Sequence, residues 1–190
     1  MPLSLLRNLL RKPEYGPPVV MGDEKIMSKK ANGTSAVPVQ ENLRWGVDRD
    51  TADRICNHNR RYAERSQYFI DPSVTFFSES REEVEKNGTM TFYDSNTGNP
   101  LFVAPKGRSY DDFMKESRVH GWPSFRDDEV DWRYVRVLRG GEVVSVDGTH
   151  LGHNLPDGKG NRYCINLVSV AGRPVNEEEK AIHYGEEKGK

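Results

Sequence analysis

Cysteine is scarce in this chain of 190 residues, which contains only Cys56 and Cys164. A secreted domain of this size that depended on disulfide bonds would contain more cysteines. Two cysteines are also too few for a four-cysteine zinc site. The cysteine content therefore indicates a reducing compartment, and we expect a cytoplasmic location unless a targeting segment directs the protein elsewhere.

The chain also lacks long apolar runs and a large excess of positive or negative charge. No apolar stretch approaches the roughly 18 residues that a membrane-spanning helix needs. The formal net charge is -1, and lysine and arginine form no long basic stripe. We therefore expect neither a membrane nor a nucleic acid as a partner. Hydrophobic residues make up only 35% of the chain, so part of it should be surface or disordered.

Residues 1–12 are the part of the chain that could carry a targeting signal. They contain five leucines and three basic residues, and no acidic residue occurs before Glu14. Organelle-targeting peptides are amphipathic, basic and poor in acids, but an ordinary short helix or a loose terminus would have the same composition. An organelle therefore stays open as an alternative to the cytoplasm.

The pattern of apolar residues divides the chain into regions. Residues 13–44 lack a hydrophobic period and contain four prolines, as expected of a linker or of an extended arm that wraps the domain. The last residues are rich in charge and poor in apolar side chains. The expected regions are an N-terminal arm, a folded domain and a charged C-terminal tail: 1–47, 48–172 and 173–190.

Short strands dominate the predicted secondary structure. Residues 89–93 and 101–104 flank a turn-rich segment and should pair as a hairpin. Residues 135–138 and 142–146 should form a second hairpin around two glycines. Residues 163–170 give the strongest strand signal in the chain.

Two segments have helical patterns. Apolar spacing predicts a helix from Asp48 to about Glu64 and a second one over residues 108–117, capped by Ser109 together with Asp112. Because strands outnumber helices, the sequence predicts a small, mainly β or α+β domain. Its strands should be mostly antiparallel, with one or two helices near the start.

The residues that could carry chemistry concentrate around Cys164. Alternation along the predicted strand places Arg162, Cys164 and Asn166 on one face. A nearby cation lowers the pKa of a thiol, and the thiolate is the reactive form. His150 and His153 precede this strand and could hold or deliver protons near neutral pH. This clustering suggests Cys164 as a redox nucleophile.

Each of these residues also has a simpler interpretation. A lone cysteine on a strand is usually an inert core residue. A pair of histidines in a loop is more often structural, and Asp157 before a glycine is a common turn residue. A metal site is a further alternative, in which four side chains would converge on zinc: His150, His153, Asp157 and Cys164.

A second cluster of interest is the segment from His120 to Phe125. Trp122 and Phe125 lie on either side of Pro123 and could form an apolar wall. Alternatively, Trp122 fills the core, as most tryptophans do.

Four segments together resemble the B-type peptide-methionine (R)-S-oxide reductases. They occur in the family's order and at compatible spacing: Gly98 to Phe102, Gly121 to Phe125, His150 to His153 with Pro156 to Gly158, and Arg162 to Asn166. The resemblance extends over about residues 49–171. It implies two antiparallel β-sheets in a tent-like arrangement, with short N-terminal helices.

The resemblance also implies an activity, the thiol-dependent reduction of methionine-R-sulfoxide in proteins or as a free residue. Cys164 matches the nucleophile that attacks the sulfoxide sulfur and becomes a sulfenic acid. Trp122 matches the residue that packs on the substrate methyl group, and Phe125 belongs to the same substrate-binding segment.

The remaining family roles fall on polar residues of this chain. His150, His153 and Asn166 match groups that bind and protonate the sulfoxide oxygen. Asp157 and Arg162 match the pair that orients the site and favours the thiolate. A silent relative that only binds methionine or an oxidised peptide is an alternative, which the presence of Cys164 disfavours.

Two departures from the family pattern affect cofactors and recycling. Many members hold a structural zinc with two Cys-x-x-Cys pairs, which align here with Asp94 and Thr97 and with residues 145–149, without cysteine. We therefore expect no metal and no other cofactor. The usual recycling cysteine is replaced by His120. Cys56 is then the candidate resolving cysteine, unless thioredoxin, glutaredoxin or glutathione reduces the sulfenic acid directly. We expect the protein to be a monomer.

Overall fold

The computed structural model of the protein describes residues 13–176. Residues 1–12, considered as a targeting segment, and the end of the predicted tail, 177–190, lie outside these residues. The strands form two antiparallel sheets, of two and five strands, which confirms the predicted mainly β or α+β class. Within residues 13–176, no helix is long and apolar enough to cross a membrane.

The strands include both predicted hairpins. The small sheet is the hairpin of β1 (Met90–Tyr93) and β2 (Pro100–Ala104). The second predicted hairpin is β4 (Val135–Val137) with β5 (Glu142–Ser145). Three more strands complete the large sheet, in the order β3-β7-β6-β5-β4: β3 (Ser124–Phe125), β6 (His150–Asn154) and β7 (Tyr163–Ile165).

The predicted strand over residues 163–170 is shorter in the structure. β7 ends at Ile165, and Leu167–Ser169 form a 3-10 turn. The carboxylate of Glu64 accepts hydrogen bonds from the backbone N–H groups of Leu167 (2.6 Å) and Val168 (3.0 Å). The hydrogen bonds that stabilise the start of this turn therefore come from a side chain that is distant in sequence. A local sequence pattern could not predict the turn for this reason.

Helix α1 (Arg49–Asp53) begins where the sequence predicts, because the Asp48 side chain accepts from Thr51 N at 2.7 Å. A π-helical turn, Arg54–His58, continues it. The prediction of a helix to about residue 64 was wrong, since Asn59 is already extended.

Helices α2 (Phe76–Asn87) and α3 (Tyr110–His120) both end at a glycine with positive φ. The predicted cap of α3 is confirmed, because Ser109 Oγ accepts from Asp112 N at 3.0 Å. Sequence patterns missed α2, which buries only two of its side chains, Phe76 and Ser80. A helix with so small an apolar face has a weak period.

Aromatic rings fill the space between the two sheets and the helices. Phe125 of β3 stacks on Phe102 of β2 with ring centroids 4.3 Å apart, and meets Phe92 of β1 edge-on at 4.9 Å. The N-terminal arm joins the same core through Val39 and Trp45, which are buried. The arm therefore contributes to the packing of the domain on which the site is built.

A buried carboxylate links the β1–β2 turn to the turn that precedes β6. Asp94, at the end of β1, is fully buried and accepts from Thr149 Oγ1 at 2.8 Å and from Asn96 N at 2.8 Å. Burial, together with the nearby Asp147, raises the pKa of Asp94 to about 6. Hydrogen bonds thus hold the start of β6 against the β1–β2 turn.

Candidate functional site

Cys164 lies at the centre of β7, between two neighbouring strands. It is directly opposite Ser124 of β3 on one side and His153 of β6 on the other. Residues directly opposite each other in a ladder project from the same face of the sheet. The thiol of Cys164 and the imidazole of His153 are therefore neighbours on one face.

Close backbone packing fixes this pairing. Gly152 precedes His153, and a Cβ atom on Gly152 would lie only 2.0 Å from the carbonyl oxygen of Cys164. Only glycine can occupy that position without moving β7 away from β6.

A cavity of about 230 Å³ opens over this face of the sheet. Its wall includes five of the predicted site residues: Trp122, His150, His153, Cys164 and Asn166. Gly152 and Leu155 and the segment Arg60 to Ala63 complete the lining. The structure thus brings together a thiol, two imidazoles, an amide and an indole.

His150 and His153 lie on a strand, not in the loop considered from the sequence. Simple alternation would place residues three apart on opposite faces. The pairing between β5 and β6 shifts here, because Val143 is opposite Gly152 while Val144 is opposite His150. The extra residue of this β-bulge, Leu151, allows both histidines to reach the cavity.

The two histidines differ in environment. His150 is buried, and burial lowers its pKa, although Glu142 Oε1 lies 3.8 Å from its Nε2. It is therefore a neutral imidazole at pH 7. The side chain of His153 is exposed on the cavity wall.

Glu64 positions two of the cavity residues through its backbone. Its carbonyl oxygen accepts from Trp122 Nε1 at 3.0 Å, and its N–H donates to Asn166 Oδ1 at 2.9 Å. The amide of Asn166 also donates to Leu151 O at 3.0 Å. Sequence reasoning missed Glu64, because a single glutamate in a polar segment gives no signal.

Arg162, which immediately precedes β7, acts on Cys164. Burial raises the pKa of the Cys164 thiol, and Glu64 adds to this, whereas the Arg162 guanidinium lowers it through its charge and a hydrogen bond. The predicted effect of the cation is present, but burial outweighs it. The fraction of Cys164 in the thiolate form therefore depends on the charge of Arg162.

Asp157 lies beside this pair and does not line the cavity. Its Oδ2 is 3.6 Å from Arg162 Nε. Arg126 binds the same carboxylate with both terminal nitrogens, at 3.0 and 2.9 Å, and holds the pKa of Asp157 well below its usual range. Sequence reasoning did not identify Arg126, which has no counterpart in the motifs.

Two predicted site residues lie away from the cavity. Phe125 is fully buried in the aromatic core, where it cannot contact a substrate in the cavity. Cys56 is also fully buried, with its Sγ 3.6 Å from Ser169 Oγ, and burial raises the pKa of its thiol. Both cysteines are free thiols.

The four side chains considered from the sequence as zinc ligands do not form a group within 4.8 Å of one another. Between residues 13 and 176, a single group of three potential ligand side chains lies within 4.8 Å: Glu116, His120 and Asp157. Arg126 already binds both carboxylates of this group, so its own positive charge occupies the position that a metal would need. His150, His153 and Cys164 do not converge in this way.

Comparison with known proteins gives no relative: no family model matches the chain, and neither a curated protein nor a solved structure does. The geometry of the cavity and the chemistry of its side chains are therefore the basis for inferring a function.

Proposed function

We propose that the protein is a thiol-dependent methionine-R-sulfoxide reductase with Cys164 as its nucleophile. The observation that carries this proposal is the direct pairing of Cys164 with His153 on adjacent strands, in the wall of a cavity that Trp122 also lines. A thiol, a proton donor and an apolar surface for a methyl group are the three elements that sulfoxide reduction needs.

In the proposed reaction, oxygen moves from the sulfoxide to Cys164. The thiolate sulfur attacks the sulfoxide sulfur while His153 supplies a proton to the oxygen. The protonated oxygen then moves to the Cys164 sulfur as the bond between the two sulfurs and the bond between the substrate sulfur and oxygen break. Methionine leaves, and Cys164 is oxidised to a sulfenic acid as the sulfoxide is reduced. A thiol of a reductant then attacks the sulfenic sulfur and releases water. A second thiol of the reductant resolves the mixed disulfide and restores Cys164.

The cavity residues have distinct roles in this proposal. The indole of Trp122, fixed by its hydrogen bond to Glu64 O, provides the apolar surface for the substrate methyl group. Asn166 and the neutral His150 orient the sulfoxide oxygen. Arg162 stabilises the thiolate. A chiral site accepts one epimer of methionine sulfoxide, in a protein or free, and the resemblance of the sequence motifs implies the R epimer.

The reductant is thioredoxin or another thiol, and we propose that the protein acts as a monomer without a metal. The proposed location is the cytoplasm, or an organelle if residues 1–12 act as a targeting segment. A fluorescent fusion of the full chain, compared with one that lacks residues 1–12, distinguishes these locations.

The test supplies each epimer of methionine sulfoxide with dithiothreitol, using the full chain and its Cys164→Ser variant. We expect turnover of the R epimer only, lost in the variant and unaffected by a chelator. The S epimer is the internal control for unspecific reduction. Binding of the R epimer without turnover would instead favour a silent binding module. Stoichiometric metal by elemental analysis, with loss of function on chelation, would favour a metal-binding protein.

A further inference from the structure

Asp157 lies between two arginines, Arg126 and Arg162, and is much more closely bonded to Arg126. Arg126 Nη1 donates to Asp157 Oδ1 at 3.0 Å, and Arg126 Nη2 donates to Oδ2 at 2.9 Å. The second arginine, Arg162, is near only one of these oxygens, with its Nε 3.6 Å from Oδ2. Asp157 therefore gives its bidentate pair, the strongest that a carboxylate can form with arginine, to Arg126.

Arg162 is a buried cation with few hydrogen-bond partners. Only 7% of the residue is exposed, and neither its Nε nor its Nη1 has a hydrogen-bond partner among residues 13–176. Its guanidinium interacts with the Cys164 thiol. Because a buried cation attracts any carboxylate within reach, Asp157 would bind Arg162 closely if nothing held it elsewhere.

Arg126 is itself firmly held. It binds both carboxylate oxygens of Glu116 on α3, and its Nη1 donates to Asn161 O at 3.0 Å. Arg108 Nη1 binds Glu116 Oε2 at 2.5 Å, and Arg108 forms a second pair with the buried Glu129. This chain of alternating charges anchors Arg126 to the helix and to β3, and thereby fixes the position of Asp157.

We propose that Arg126 is a positioning residue that keeps Asp157 away from Arg162 and so leaves the charge of Arg162 available to a Cys164 thiolate. Without Arg126, the carboxylate would turn to Arg162, form a close pair and compensate its charge. Less of the charge would then act on the thiol, and the reactive form would become less populated. The inference rests on the proposed function only in that it treats Cys164 as the reactive group.

The test measures alkylation of Cys164 by iodoacetamide as a function of pH, with peptide mapping to separate it from Cys56. Besides Arg162, the charged or titratable groups that face this thiol are Glu64, the β6 residues His150 and His153, and the cavity residues Arg60, Arg61 and Tyr62. Each of them is unchanged in the variants. In Arg126→Gln we expect the pH midpoint to move upward and the alkylation rate at pH 7 to fall about threefold to tenfold.

Three further variants test whether Arg126 acts on the thiol through Asp157. Arg126→Lys keeps the charge but loses the bidentate geometry, so its shift should be intermediate. Glu116→Gln weakens one anchor of Arg126 but leaves its pair with Asp157 in place, so its shift should be smaller than that of Arg126→Gln. Asp157→Asn removes the carboxylate, so adding Arg126→Gln to it should have no further effect.

A midpoint that stays or falls in Arg126→Gln overturns the proposal. The same upward shift in the Asp157→Asn background also overturns it, because Arg126 would then act through its own charge. Alkylation requires no sulfoxide, so a protein that lacks reductase activity but shows the expected shifts would refute the proposed function and leave this inference intact.

Discussion

Cys164 and His153 lie directly opposite each other on the adjacent antiparallel strands β7 and β6. Their spacing is therefore set by the sheet rather than by a loop, and Gly152 allows the strands to approach closely. A proton donor on a rigid element needs no rearrangement before it acts.

Replacing His153 with glutamine should lower kcat for reduction of the R epimer by about a hundredfold, as expected for loss of a general acid. Alkylation of Cys164 should persist, because Arg162 still faces the thiol. His58→Gln is the matched control, since His58 lies on the π-helical turn beyond the cavity lining and pairs with Asp53 at 3.6 Å. Equal activity in the two variants would exclude His153 as the proton donor.

Trp122 should determine affinity for the substrate methyl group. Trp122→Ala removes the apolar surface and should lower kcat/KM about tenfold to a hundredfold, mainly through KM. Trp122→Phe retains an aromatic face but loses the hydrogen bond to Glu64 O, so its loss should be smaller. Steady-state kinetics with the R epimer check both effects. An unchanged KM in Trp122→Ala would place the methyl group elsewhere.

Much of the fold could be predicted because its signals are local. The β4–β5 hairpin follows from two short β-rich runs around a glycine turn, and the start of α3 follows from Ser109 and Asp112. Turn and cap residues act within a few positions of themselves, so a sequence displays them directly. The end of β7 depends on Glu64, about a hundred residues earlier, and could not be predicted in this way.

The candidate site was predicted in composition but not in geometry. His150 and His153 both line one cavity because of the β-bulge at Leu151, and no local sequence pattern predicts this bulge. Phe125 adjoins the Trp122 segment, yet strand alternation directs its ring into the core. Arg126 and Glu64 position other residues from outside the motifs, so only tertiary contacts identify them.

Cys56→Ser should retain turnover with either dithiothreitol or thioredoxin. Cys56 is fully buried and burial raises the pKa of its thiol, which disfavours attack on an oxidised Cys164. The cost should appear instead in stability, by about 1–2 kcal/mol, because a hydroxyl replaces a buried sulfur. Denaturant unfolding measures this loss. A Cys56–Cys164 disulfide in a non-reducing peptide map after one turnover would contradict the prediction and establish Cys56 as the resolving cysteine.

Asp94 should make the stability of the protein depend on pH. Its pKa is about 6 in the fold against an ordinary 3.8, so the folded state binds the proton more tightly than the unfolded state. The stabilising contribution is then complete below the unfolded value and is lost as pH rises through about 6. Between about pH 4 and pH 7, the free energy of unfolding should decrease by about 2–3 kcal/mol from this group.

Asp94→Asn tests this because an amide has nearly the same shape and no charge. Its oxygen can still accept from Asn96 N, and its NH2 group can donate to Thr149 Oγ1, so the link between the two turns survives. Denaturant unfolding at several pH values should show a flatter profile than the wild type, and Asp147→Asn, which removes the neighbouring charge, should flatten it partly. A variant profile as steep as the wild type would mean that Asp94 is not the titrating group, and would direct attention to Glu64, whose pKa burial raises to about 8.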